Sequence, residues 1–298
     1  MQALIVLGFV GFGAQLINSS LGMGYGVTST SALLAMGTAP ALASATVNLS
    51  QVGSQLVSGY AHWRFGNVEW DVVRRIALPG AVGAFGGALV LSRLSTEVAR
   101  PIMAVILIGL GIYILLRFTV WGTPRGRLGQ RIRSRVLMPV GLVGGFLNST
   151  GGGGSGPIIT SALLATGRLT PRMVVGSISA AEFAIVSAGS VGFMVGLGLG
   201  GFNLPWVLVM LAGGTLAAPV AAWLTKHVPG RMLGSLIGGL IIVVNLRNLL
   251  YGGAAEPGAG VAPAILALAI LIWAVAVVYS ARAHVLTSRD QMRSLSRS

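Results

Sequence analysis

The chain has 298 residues, of which 54% are hydrophobic and 9% charged, and its mean hydropathy is +0.84. A soluble globule carries roughly 25% charged residues, so this composition excludes one. With apolar runs near 20 residues recurring along it, the chain reads as a multi-pass membrane protein. The net charge of +14 does not point to nucleic acid, because ten of the arginines cluster in two places: Arg117, Arg125, Arg127, Arg131, Arg133 and Arg135 in one connection, Arg282, Arg289, Arg293 and Arg297 at the end. No aromatic residues interleave them to stack bases, whereas attraction to anionic lipid and a positive-inside signal account for such clusters. Zero cysteines exclude disulfides, thiolate metal sites and cysteine nucleophiles.

Apolar stretches run over residues 1–17, 26–36, 40–63, 72–92, 100–117, 136–148, 157–166, 171–196, 203–224, 230–251 and 261–281. The opening MQALIVLGFV lacks the basic start of a signal peptide and is read as part of the fold. The stretch 1–17 is borderline, and 26–36, 136–148 and 157–166 are too short to cross. At about 1.5 Å per residue they reach only about half of a ~30 Å hydrocarbon core.

The short stretches flank a phrase that occurs twice. Residues 11–37 (GFGAQLINSSLGMGYGVTSTSALLAMG) and 141–167 (GLVGGFLNSTGGGGSGPIITSALLATG) align without a gap, with 13 of 27 positions identical. Beyond it the halves keep matching: Pro40 answers Pro171, Thr46 answers Ser177, Gln51 answers Glu182, Gly83 answers Gly214 and Arg100 answers Arg231. The organisation expected is a first transmembrane repeat over 1–117, a basic cytoplasmic linker over 118–135, a second repeat over 136–251, an additional helix over 261–281 and a basic cytoplasmic tail over 282–298. Each flanking pair predicts either a helix-break-helix hairpin dipping into the membrane or a long and a short helix whose ends meet there.

Placing the linker inside puts Arg64, Arg74, Arg75, Arg168 and Arg172 inside as well, and leaves loop 197–202, with no charge, outside. The outside loop holding Arg93 and Arg100 is the one poor fit. Matching loops then lie on opposite faces, so the halves are inverted copies. The fold class expected is an all-α membrane protein, an inverted-repeat transporter with two broken-helix (re-entrant) hairpins and about seven full crossings; such transporters bind substrate near the midplane between repeats.

A helix that stops inside the bilayer exposes backbone groups that cost several kcal/mol unless something satisfies them. Asn18, Ser19 and Ser20, with Asn148, Ser149 and Thr150, are expected to cap helix starts. Gly22, Gly24, Gly152 and Gly154, beside Ser155, let backbone N–H groups approach a ligand. Two helix N-termini would then point positive dipoles at the midplane and bind an anion without a cationic side chain. The alternative is that these residues only pack and cap.

Glu182 is the one acidic residue inside a predicted crossing. A carboxyl group there by default marks a pathway or a proton relay, and proton coupling is its expected role; the alternative is a neutral group bonded to a neighbouring helix. Asn48 and Gln51 share one helix face, as do Ser179 and Glu182, and these faces are expected to complete the cavity wall. Arg247 either snorkels outward or selects anions at a mouth. His62, His227 and His284 lack metal-ligand spacing, so no metal or cofactor is expected. The G-x-x-x-G pairs Gly83/Gly87, Gly192/Gly196 and Gly234/Gly238 read as close helix packing.

The duplicated Asn-Ser/Thr-Gly start, the run from His62 to Trp70 (HWRFGNVEW) and the glycine-rich helix 78–91 resemble the TauE/SafE family of bacterial membrane permeases, also called sulfite exporters, over about residues 5–250. The resemblance implies export or exchange of small anions, notably sulfite and organosulfonates, with the glycine-rich breaks as the binding region. The expected function is a secondary transporter of such an anion in the inner membrane, not an enzyme. A passive anion channel, or a permease for a cation or another small solute, stands as the alternative.

Overall fold

The computed structural model describes residues 2–21, 23–120, 129–130, 132–152, 154–227, 230–251 and 260–295, and within them all side chains but those of 19–21, 201, 218–227, 230–231, 233 and 283–295. Gly22 and linker residues 121–128 and 131 lie outside the described residues, and the tail's helical backbone is described to residue 295. Among the described residues eleven α-helices run in chain order: α1 Gln2–Leu21, α2 Tyr25–Ala35, α3 Pro40–Arg64, α4 Trp70–Arg93, α5 Thr96–Thr119, α6 Ser134–Thr150, α7 Gly156–Thr166, α8 Pro171–Leu197, α9 Leu204–His227, α10 Gly230–Tyr251 and α11 Val261–Leu295. Among the described residues no strand occurs.

Among the described residues, five segments are long and apolar enough to cross a membrane: Trp70–Arg93, Thr96–Thr119, Pro171–Leu197, Gly234–Tyr251 and Val261–Arg282. The 25-residue α3 is about 37 Å long, yet it falls outside that set. Its buried face carries Ser44, Thr46, Asn48, Ser50, Gln51 and Gln55, which lower its hydropathy. An apolar helix of this length that buries polar groups must have found partners for them inside the protein. The all-helical, multi-pass membrane architecture is therefore plain, and α3 is the element whose polarity sets it apart.

By sequence register α1–α5 correspond to α6–α10, and the halves exchange partners. The first helix of each half packs on the fourth of the other, α1 on α9 and α6 on α4, while α3 pairs with α8 and α5 with α10. Glycine makes the exchanged contacts close. A Cβ on Gly145 would overlap the Gly80 carbonyl oxygen, and one on Gly213 that of Gly8. The expected G-x-x-x-G pairs also sit in helix contacts: a Cβ on Gly87 would lie 2.6 Å from the Phe146 oxygen, on Gly192 2.8 Å from the Phe85 oxygen and on Gly238 2.7 Å from the Leu115 nitrogen.

The short helices are the most enclosed. The core cluster around α2 joins Tyr25, Val27 and Leu33 to Met103 and Leu107 of α5; that around α7 joins Ile159 and Leu163 to Ile76, Ile178 and Ile185. By contrast α11 lies at the edge. It is held to α10 through Ser280 to Ser235 (2.7 Å) and Trp273 Nε1 to the Ser235 carbonyl (3.2 Å), and its apolar side chains mostly face outward.

Candidate functional site

Both breaks end a helix and restart it within the packed interior. Between α1 and α2 the chain turns at Gly24 with φ of 113°; between α6 and α7 it turns at Gly152 (58°) and Gly154 (72°). In the left-handed region a Cβ costs roughly 1–2 kcal/mol, so glycine is the residue the turns require. The Asn-Ser-Ser/Thr triplets lie in the last turns of α1 and α6, which corrects the expectation that they cap helix starts. The positions before α2 and α7 are Gly24 and Ser155, and neither makes a side-chain cap bond. A capping side chain acts from the residue immediately before its helix, and the glycine turns intervene. Thr150 instead donates back to the Phe146 carbonyl at 2.8 Å.

The two breaks touch. Thr30 of α2 donates to the Gly152 carbonyl at 2.6 Å. A Cβ on Gly154 would lie 3.6 Å from the Gly26 nitrogen and Cα, and one on Gly156 would lie 3.0 Å from Met23 Cα. The start of α7 thus sits beside the start of α2, bringing two helix N-terminal ends together.

Glu182, 5% exposed, reaches this point from α8. Its Oε1 accepts from Ser155 Oγ at 2.7 Å, and it also accepts from the Gly156 backbone N–H. Gln55 Nε2 of α3 donates to its Oε2. A carboxyl group is thereby seated at the N-terminal end of α7, where the helix dipole favours negative charge. Its repeat counterpart Gln51, 2% exposed, has no hydrogen-bond partner for Oε1.

Around this pair lies a polar layer. Asn148 Nδ2 donates to Asn48 Oδ1 at 2.6 Å, Asn48 Nδ2 donates to the Ser44 carbonyl at 2.9 Å, and Ser44 Oγ donates to the Ser149 carbonyl at 2.7 Å. Ser149 Oγ is buried without a partner. Ser179 accepts from Ser58 Oγ at 3.2 Å, one turn from Glu182. So Asn48, Gln51, Asn148, Ser149, Gly152, Gly154, Ser155, Ser179 and Glu182 gather in one region. Asn18 is half-buried at the end of α1; the side chains of Ser19 and Ser20, like Gly22, lie outside what the structure describes.

Sequence reasoning missed Thr30, Ser44, Gln55 and Ser58. Gln55 had a signal, since it follows Gln51 by four residues and so shares its helix face.

Clefts approach from both ends. One, about 470 Å³, lies away from the breaks on the linker face, between Glu69, Asp71 and Arg168 with Gly129 and Gln130. A second, about 300 Å³, opens near the same end between Trp63, Trp70 and Phe183 and extends to Gln55. A third, about 190 Å³, lies at the opposite end of α5, by Arg100.

A family model described as sulfite exporter TauE/SafE matches residues 7–248. The chain belongs to the TauE/SafE family. It is 43% identical over 280 residues, 94% of this chain and 93% of the relative, to the probable membrane transporter protein YtnM of Bacillus subtilis (strain 168). It is 27% identical over 236 residues, 78% of this chain and 90% of the relative, to the probable membrane transporter protein YdhB of the same organism. No solved structure matches. The TauE/SafE match spans both breaks and α8, and it stops before α11. Membership makes this a membrane transport protein.

Proposed function

We propose that the chain is a secondary transporter of a small anion, such as sulfite or an organosulfonate, bound at the midplane between the two breaks. The observation that carries this reading is the seating of Glu182 at the start of α7, where α7 meets α2. That end of the helix already holds one oxyanion group belonging to the protein. When deprotonated, the carboxylate occupies the α7 terminus; when protonated, it loses most of its attraction to the dipole and yields the place to a substrate oxygen. Uptake of a proton and of an anion are then linked at one spot. Buried donors without partners raise free energy by about 1–3 kcal/mol each, and the Ser149 hydroxyl is one that a bound oxyanion satisfies.

The exchanged packing of α1 on α9 and α6 on α4 supports inverted repeats over 1–117 and 136–251, with re-entrant pairs α1/α2 and α6/α7. The clefts that approach from both ends support alternating access, by one repeat rocking against the other. The arginine count favours a bacterial inner-membrane orientation with linker 118–135 and tail 282–298 in the cytoplasm, facing anionic lipid.

A second reading, a cation permease, is favoured by a different observation. Gln51 Oε1 and Gln55 Oε1 are buried acceptors without partners on the α3 face that meets Glu182, and oxygen atoms around a carboxylate suit a cation.

Proteoliposomes decide between them. Under an imposed ΔpH, sulfite, sulfoacetate, taurine, sulfate and simple carboxylates are offered in turn, with Na⁺ and K⁺ flux measured in parallel. The expected result is saturable, ΔpH-driven flux of a sulfur oxyanion, with Glu182→Gln losing about 100-fold of the ΔpH-driven rate, a barrier change of about 2.7 kcal/mol. Cation flux without anion flux selects the second reading, and flux that neither saturates nor responds to ΔpH selects a channel.

A further inference from the structure

The two arginines that are hardest to explain by orientation alone share one cleft. Arg100 stands near the start of α5 and Arg247 near the end of α10, and together with Asn248, Tyr251 and the end of α2 at Gly37 they line the space of about 190 Å³. α5 runs toward the linker and α10 packs against it, so the cleft opens on the face opposite the linker. Neither guanidinium has a hydrogen-bond or ion-pair partner among the described residues. Among the described residues no carboxylate lines the cleft. Asn248 Nδ2, also in its wall, is buried with no partner.

Two like charges lining one concavity repel each other, and an oxyanion between them reverses the sign of that interaction. The donor set fits such a group: two planar guanidiniums, each able to give two parallel N–H bonds to adjacent oxygens, and an amide N–H₂. The cleft also points toward the breaks. From the turn at Gly37 the chain leads back into α2, whose 11 residues run about 16 Å from Ala35 to Tyr25, beside Gly24. Its Ser31 Oγ accepts from Asn245 Nδ2 at 2.6 Å, and Ser29 Oγ and Asn245 Oδ1 are buried without partners. Asn245 and Asn248 lie three residues apart on one face of α10, so polar groups line the α2–α10 seam from the cleft inward.

We propose that Arg100 and Arg247, with Asn248, form a second anion site, a capture point for a soluble sulfonate, sulfite or sulfate group at the mouth opposite the linker. The assignment rests on the anion reading above for its place in transport, but not for its chemistry. A lipid headgroup phosphate offers the same oxygens, and the test separates the two sources.

The full-length protein is reconstituted in phosphatidylcholine vesicles and labelled with phenylglyoxal, which modifies accessible guanidiniums, and the rate at each arginine is read by peptide mass spectrometry. Sulfate and methanesulfonate serve as probes, since sulfite itself adds to the dicarbonyl. The expected result is that either probe slows labelling of Arg100 and Arg247 by about tenfold, the change in free-site fraction for an anion at about ten times its Kd, and leaves exposed Arg93 unchanged. A parallel flux measurement with substrate on that side of the membrane expects Arg100→Gln/Arg247→Gln to raise KM about tenfold with maximal rate retained, and the double lysine variant, which keeps both charges, to stay closer to wild type. Labelling that no soluble anion slows overturns the site, and so does protection seen only with phosphatidylglycerol in the vesicles, which assigns the pair to lipid. Protection without transport of any anion leaves this site in place and removes the transport reading; transport without protection does the reverse.

Discussion

The two breaks grow from one duplicated phrase, yet only the second is met by a carboxyl group. At α7, Ser155 and the Gly156 N–H hold Glu182, and Gln55 crosses from the other half to hold its second oxygen. At α2 the position matching Ser155 is Tyr25, whose hydroxyl is 3.2 Å from Ser50 Oγ instead, and the residue matching Glu182 is Gln51, its oxygen unpaired. The copies thus share a backbone device and differ in charge. Duplication supplies the shared backbone geometry, and the differences at these two positions supply the charge and its hydrogen-bond partner.

The most severe way to break this comparison is to move the carboxyl group. In the double variant Gln51→Glu/Glu182→Gln the acid moves to α3, away from the Ser155 hydroxyl and the Gly156 N–H, and ΔpH-driven flux is expected to stay as low as in Glu182→Gln alone, about 100-fold down. Recovery of the wild-type rate would show that the two half-sites are equivalent.

A milder test removes the asparagines one at a time. Asn148→Ala leaves Asn48 Oδ1 buried and unpaired, which costs about 1–3 kcal/mol, and a thermal-unfolding shift of several degrees in detergent is expected; Asn18→Ala, at a half-buried position, is expected to shift it less. Equal shifts would place the two asparagines in like surroundings and dissolve the distinction.

The smallest effects concern the turns. Gly24→Ala combines φ of 113° with a Cβ 2.9 Å from Ile17 Cγ2, whereas Gly154→Ala has φ of 72° and its nearest neighbour at 3.6 Å. Gly154→Ala is expected to cost about 1 kcal/mol and Gly24→Ala more, as read by denaturant or thermal unfolding. The reverse order would mean that the second turn, not the first, carries the tighter geometry.

Much of this was legible before any coordinates. A glycine-rich polar phrase within apolar sequence marks an interrupted helix because hydrocarbon tolerates no unpaired backbone, and a lone acidic residue in a crossing marks a polar partner. Both inferences located the region where Gly154 faces Gly26 and Ser155 meets Glu182. The extent of α1 and α6 was not legible: Asn18 to Ser20 and Asn148 to Thr150 resemble loop residues, and for the second triplet it is tertiary burial of Asn148, Ser149 and Thr150 that lets helix continue through them. Nor could sequence pair Asn48 with Asn148 or Gln55 with Glu182, because those bonds depend on how α3 is rotated against α6 and α8. Hydropathy placed α3 among the crossings by length, while its row of serines, asparagine and glutamines is what makes it the inner wall.

The traded neighbours of α1 and α6 bear on biosynthesis. As the polypeptide leaves the ribosome, α1 must stand in lipid without its main companion until α9 is made, near the end of synthesis. The first half therefore cannot complete its packing alone, and a chain stopped after α5 is expected to leave the glycine faces of α1 and α4 open to the quality-control proteases of the membrane.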